Sequence, residues 1–247
     1  MKKTGRGILS LALAVVILAV SSFSSSAAYT GKVYMFTYDS GRLPGHQDFA
    51  EFRINTRRDA EFSLPWLWDM NYDAGEYLNN SVDAVHNVLP NASVVTIGSH
   101  GLPGRIYCAD ASTPRMTMLV GTEYLRPEYH AKSFDRQRPL TATRLIIFAA
   151  CESALTDQYY GNLLNEAVTR GADAALGWKD SIPVGELTSR WQQYFFTACY
   201  FLHCDVKTAA DTATNRLWNE FPGKQYEKQI IELSKFEIKG SENVTIY

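Results

Sequence analysis

Two short runs, Val94-Val95-Thr96-Ile97-Gly98 and Leu145-Ile146-Ile147-Phe148-Ala149, leave few folds open to this chain. Both are almost wholly apolar, so neither reads as the half-solvated strand of an antiparallel sheet. They read as interior strands of a parallel sheet covered on both faces. Each stops at a reactive side chain, the first at Ser99-His100-Gly101 and the second at Ala150-Cys151-Glu152-Ser153. In open α/β sheets, ligands bind beyond the carboxyl ends of the strands. If the two runs are parallel neighbours, His100 and Cys151 share one edge, which is the arrangement a thiol nucleophile and its base require.

The flanking segments alternate between strand and helix. The stretch 32–38 alternates and is rich in Val, Tyr and Phe, which predicts a strand. A Gly- and Pro-containing loop follows at 39–45. Residues 49–73, with Trp66 and Trp68 around Pro65, match neither period and read as an insertion beside the reactive edge. Apolar residues at Tyr77, Leu78, Val82, Val85 and Leu89 predict a helix over 76–89. The stretches 105–108 and 116–120 read as a hairpin, and 123–143 as a polar connection. The spacing predicts a helix over 162–170 stopped by Gly171, then a strand over 174–178. Helices follow over 185–203 and 207–218, the second capped by Asp205. Phe221-Pro222-Gly223 breaks the pattern, and the tail 229–247 reads as β. This order predicts an α/β fold, a three-layer sandwich with a mostly parallel central sheet, formed by a single domain over 29–247.

The first 28 residues are set apart. Lys2, Lys3 and Arg6 precede a short apolar run from Ile8 to Val20, and Ser26-Ala27-Ala28 suits a signal-peptidase site. The run is shorter than the roughly 20 residues a spanning helix needs. The expectation is a bacterial secretory signal peptide over 1–28, a secreted or periplasmic mature chain, and no membrane span after cleavage. Loss of the three cations takes the formal charge from −2 to −5, which gives no push toward nucleic acid. Arg53, Arg57 and Arg58 form a small basic cluster that reads as a solvated loop. The four cysteines, Cys108, Cys151, Cys199 and Cys204, have no zinc-site spacing. Cys199 and Cys204 are awkwardly placed for a mutual bridge within a regular helix. No metal or cofactor is expected.

The chemistry-bearing pattern is Gly98-Ser99-His100-Gly101 followed by Ala149-Ala150-Cys151-Glu152-Ser153, with the His 51 residues before the Cys. This ordered combination resembles the caspase-like cysteine peptidases. It is most similar to the CHAT-type and clostripain-like members, with separase more distant. The likeness extends over about 75–218, through Arg170-Gly171-Ala172-Asp173, the strand ending at Trp178 and the aromatic helix after it. The resemblance implies a Cys–His dyad peptidase acting on proteins or peptides through an acyl-enzyme, without a metal. Cys151 would be the nucleophile and His100 the proton shuttle, with the Gly101 and Cys151 N–H groups as oxyanion donors. The caspase pentapeptide Gln-Ala-Cys-x-Gly is absent, so cleavage after Asp is not implied. Many clostripain- and separase-like relatives cut after Arg or Lys, which makes Asp180 a candidate for the first specificity pocket.

Each of these residues has a plainer reading. Cys151 also fits a buried core thiol, and His100 a turn histidine. Asp180 fits the N-cap of the next helix, and Glu152, the other specificity candidate, fits a solvent-facing carboxylate. Two further functions stay open: a catalytically inactive caspase-like module that binds protein partners, and a thiol hydrolase such as an amidase.

Overall fold

The computed structural model describes residues 30–43, 54–109, 117–122 and 131–247. The expected signal peptide and Arg53 lie outside them. The elements run β1 (Lys32–Thr37), α1 (Arg57–Asp69), β2 (Asp73–Leu78), α2 (Val82–Val88), β3 (Val94–Gly98), β4 (Gly101–Leu102), β5 (Arg105–Cys108), β6 (Thr117–Val120), β7 (Ala131–Ser133), β8 (Leu145–Ala149), α3 (Leu163–Thr169), β9 (Ala174–Trp178), α4 (Glu186–Leu202), α5 (Val206–Glu220), α6 (Lys224–Ser234) and β10 (Phe236–Gly240). Three short 3-10 turns lie between them.

Among the described residues, six strands form the central sheet in the order β10-β9-β8-β3-β1-β2. All pairings are parallel except β10 against β9. The two apolar runs are β3 and β8, every residue of each is buried, and they are parallel neighbours with Val94 opposite Leu145 and Gly98 opposite Ala149. A second sheet, β4-β5-β6-β7, grows from the end of β3.

The strands are apolar on both faces because both are covered. On one face Met35, Ile147, Leu176 and Trp178 pack with side chains of α1, α4, α5 and α6. On the other Phe36, Val95, Ile97 and Phe148 pack with α2, α3 and the small sheet. Trp191 of α4 anchors the first core. It is fully buried, its ring centroid lies 5.0 Å from Trp178, and its Nε1 donates to Thr214 Oγ1 at 3.0 Å. Trp191→Ala leaves a large cavity and removes the donor to Thr214, whose hydroxyl keeps only its bond to Ala210 O, so we expect a loss of about 3–5 kcal/mol in denaturant unfolding. A loss below about 1 kcal/mol would mean that this core is not packed as described.

Three expectations need correction. The helix expected over 76–89 is a strand followed by a shorter helix. β2 pairs in parallel with β1, where Tyr77 packs on Tyr34 at 4.9 Å, and α2 starts only after Ser81, whose Oγ accepts from the Ala84 amide. The tail is helical before it is β, since α6 occupies 224–234; Val244 and Ile246 are buried beyond the last strand. Of the stretch 49–73, residues 57–69 form α1 with Pro65 inside it. The stop at Gly171 (φ 107°) and the Asp205 cap, which accepts from Thr208 N at 2.7 Å, are as expected. Among the described residues, no helix is long and apolar enough to cross a membrane. The four cysteines are free thiols.

Candidate active site

His100 and Cys151 each stand two residues past the last paired residues of β3 and β8, Gly98 and Ala149. The two strands therefore deliver them to the same edge. Ser99 N donates to Ala149 O at 3.3 Å, so the two chains stay joined as they leave the sheet. His100 occupies the turn into the β4–β5 hairpin. Its carbonyl accepts from Tyr107 N at 2.9 Å, and Ser99 Oγ donates to Tyr107 O at 2.6 Å. At Gly101 the hairpin touches the cysteine loop backbone to backbone: a Cβ there would lie 2.5 Å from Cys151 O and 3.3 Å from Cys151 N.

The cysteine loop is pinned from below. Ala150 N donates to Phe148 O, Glu152 N to Asp180 O and Ala154 N to Trp178 O, each between 2.8 and 3.0 Å. Glu152 takes a left-handed backbone (φ 53°), rare for a residue with a side chain, and this turns the chain sharply behind Cys151. Ser153 is fully buried and committed on both sides: its Oγ donates to Phe148 O at 2.9 Å and accepts from Trp178 N at 3.1 Å. Two residues before it, Cys151 is only partly buried, and its thiol takes the Ile182 amide from outside the loop.

The thiol meets the 179–185 segment. Ile182 N donates to Cys151 Sγ at 3.4 Å, and Sγ lies 3.7 Å from Ile182 O. Burial raises the Cys151 pKa, with the Ile182 amide acting against it and the Glu152 charge adding to it. Burial lowers the His100 pKa. The resting pair is thus a neutral thiol beside a neutral imidazole. Burial is the leading cause at each group, and neither group figures among the causes acting on the other. Groups in these states suit general-base transfer to a neutral imidazole rather than a standing ion pair.

The two specificity candidates are joined through the backbone, Glu152 N donating to Asp180 O at 3.0 Å. Asp180 is not a helix cap; α4 begins after Gly185. Its carboxylate accepts from Lys235 Nζ at 2.7 Å and from Ser181 N at 2.9 Å, and these bonds lower its pKa. Glu152 is half-buried beside Cys151. A cleft of about 800 Å³ is lined by Asn55, Arg57, Arg58, Glu61, Glu76 and, shortly after Ile182 in the chain, Val184 and Gly185. Arg57 pairs with Glu76 at 3.4 Å. The basic cluster read as a solvated loop therefore supplies cleft residues. Sequence reading missed this cleft, the Ile182 amide and the buried Asp59. Backbone groups leave no trace in a side-chain pattern, and Asp59 lies in the stretch 49–73, whose pattern matches neither period.

No family model and no curated protein matches the chain by sequence. Solved structures do match. The chain aligns with separase of Saccharomyces cerevisiae, solved in complex with securin, at a TM-score of 0.50 and 12% identity, over 92% of this chain and 13% of that one. It aligns with pro-sf-caspase-1 at a TM-score of 0.51 and 12% identity, over 91% and 97% of the two chains. At this identity the likeness concerns the fold, which is caspase-like: helices on both faces of a mostly parallel central sheet.

Proposed function

From a caspase-like fold that delivers a histidine and a cysteine to one strand edge, we propose that this chain is a cysteine endopeptidase. Cys151 attacks the scissile carbonyl while His100 takes its proton and then protonates the leaving amine. The Gly101 and Cys151 N–H groups stabilise the tetrahedral oxyanion, a contribution of about 3–4 kcal/mol per donor in acyl transfer generally. The observation that carries this reading is the register of β3 and β8, with Gly98 opposite Ala149 and the two candidates at equal distance beyond. Within the fold group, the Arg170-to-Asp173 turn, the strand ending at Trp178 and the aromatic α4 favour the CHAT-type and clostripain-like members. Protein or peptide substrates, export through the 1–28 signal and the absence of a metal step belong to the same proposal.

Preference for Arg or Lys before the scissile bond would use Asp180 or Glu152, and a basic substrate at Asp180 would exchange with Lys235. The second reading, a non-catalytic partner-binding module, is favoured by one observation: the resting thiol is raised rather than activated.

Labelling with an acyloxymethyl-ketone peptide probe separates the two. With Arg or Lys at the cleavage position, we expect an adduct on Cys151 by mass spectrometry, lost in His100→Ala. The acid limb of labelling should fall below pH 6.5, because burial lowers the His100 pKa from that value and keeps the base available there. An adduct only with a non-basic probe keeps the peptidase and discards the basic preference. No adduct with any probe of a full panel supports the module.

A further inference from the structure

Behind the dyad edge, where α1 crosses the first turn of α4, a group of polar side chains is sealed from solvent. Asp59 (3% exposed), Ser63, Ser189 and Gln192 are all buried. Asp59 and Ser63 are four residues apart on α1, and Ser189 and Gln192 three apart on α4, so each pair lies on one helix face. Ser189 Oγ donates to Asp59 Oδ1 at 2.7 Å. Asp59 Oδ2 and Ser63 Oγ have no partner at hydrogen-bond geometry, and the Gln192 amide, which also faces Asp59, is close enough to favour its charged form without reaching that geometry. Oδ2 lies against Gly98, where a Cβ would come within 2.8 Å of it. An ionised carboxylate with one oxygen unpaired in a dry site is costly. A neutral acid costs less, and burial outweighs the Ser189 and Gln192 side chains, which favour the charged form.

We propose that Asp59, as the neutral acid, is a positioning residue for the Cys151 thiol. It reaches the thiol through α4. The Ser189 hydroxyl that it holds also lies 3.1 Å from Gly185 O, and Gly185 (φ 121°) ends the segment whose Ile182 amide donates to Cys151 Sγ. It reaches the histidine through β3, because Gly98 is two residues before His100 and its carbonyl accepts from Thr56 Oγ1 at 2.6 Å. Asp59 therefore stands behind both halves of the proposed dyad, and its role depends on Cys151 being the nucleophile.

Ionisation would undo the arrangement. The side chains facing Asp59 are neutral: Ser189 and Gln192 from α4, Thr56 and Ser63 from its own segment, with Gly98 from β3. The ionisable groups on the same elements are engaged or directed elsewhere. Arg58 and Glu61 are exposed, Arg57 pairs with Glu76 of β2, and Arg190 faces Glu186 and Glu220. His100 lies beyond the strand end. Burial is the dominant cause that raises the Asp59 pKa to about 7, and no charged group figures among the causes. Above that pH the charge has to be met by water, and admitting water shifts the first turn of α4 and Ile182 with it. The sign follows: a raised carboxyl pKa gives stability that is present in acid and lost as pH rises through about 7.

The test is the rate of Cys151 alkylation by iodoacetamide, followed by peptide mass spectrometry from pH 5 to 9, in wild type, Asp59→Asn and Ser189→Ala, with thermal unfolding over the same range. In wild type we expect an inflection near pH 7 in addition to the thiol's own titration. Asp59→Asn should remove it, keep the acid-side rate, and unfold at higher temperature than wild type above pH 7. Ser189→Ala should slow alkylation about tenfold or more at acid pH through loss of positioning. Superimposable wild-type and Asp59→Asn profiles, with Cys151 still labelled by the acyloxymethyl-ketone probe, would overturn the positioning role and leave the peptidase intact. No probe adduct on Cys151 in wild type would overturn both.

Discussion

Cys151→Ala should abolish peptide cleavage, with kcat/KM at least about 10⁴-fold below wild type, while the protein folds normally. The size follows from the role: removing a covalent nucleophile eliminates the acyl-enzyme route, and such losses reach about 10⁶ in other acyl-transfer enzymes. No neighbour can substitute. Ser153 is fully buried with its hydroxyl committed to Phe148 and Trp178. Cys108 is buried and its thiol is pushed up to about 12, and burial raises Cys199 well above its ordinary value. Cys204 is the other partly exposed thiol, at the far end of α4 from the loop that meets Cys151, so Cys204→Ser is the matched control and should keep full activity. Folding survives because Cys151 is only half-buried, and its loop is held by backbone bonds from Ala150, Glu152 and Ala154 rather than by the thiol. Activity measured with a peptide substrate, alongside near-UV circular dichroism, checks both halves. Residual cleavage within about tenfold of wild type would remove Cys151 from the mechanism.

The parts of this molecule that the sequence announces are those where side-chain pattern and backbone state coincide. β3, β8 and β9 are buried on both faces, so their apolar runs have no reading other than interior strands. Gly171 and Asp205 mark helix ends because a positive φ and an unpaired N–H each select particular residue types. The stretch 76–89 misleads for the opposite reason. β2 is an edge strand with no buried residue, so its apolar residues carry no period-2 signal and happen to continue the helical spacing of α2. Asp180 misleads similarly: an Asp shortly before an apolar helix looks like a cap, yet α4 starts five residues later at Gly185 without a side-chain cap, and Asp180 is taken by Lys235 from the far end of the chain. The shared edge of His100 and Cys151 is legible since both residues stand where neighbouring parallel strands stop. The Ile182 amide, the cleft over α1 and the Asp59 cluster are tertiary products of the α1–α4 crossing, which no local pattern encodes.

Gly101→Ala should lower kcat/KM about 100-fold without removing any reactive group. The added methyl has no room: its carbon would lie 2.5 Å from Cys151 O and 2.8 Å from Ala150 Cβ. Real Cβ atoms do not tolerate such distances from backbone, and neither neighbour is the free end of a flexible side chain. Ala150 is fully buried, and Cys151 is fixed between β8 and the Asp180 carbonyl that holds Glu152. The hairpin must therefore retreat, and His100, one residue before Gly101, retreats with it. A displacement of about 1 Å between a base and its nucleophile costs on the order of 100-fold, since proton transfer and attack both depend on near-contact geometry. Gly75→Ala is the matched control, because the nearest atom to its added carbon is 3.5 Å away on Tyr77. It should leave activity unchanged. Full activity in Gly101→Ala would show that the hairpin is free to move without moving the base, and the close backbone contact would then not be what aligns His100 with Cys151. A 100-fold loss with Cys151 alkylation largely preserved would place the damage on the histidine side of the pair, where the backbone contact at Gly101 predicts it.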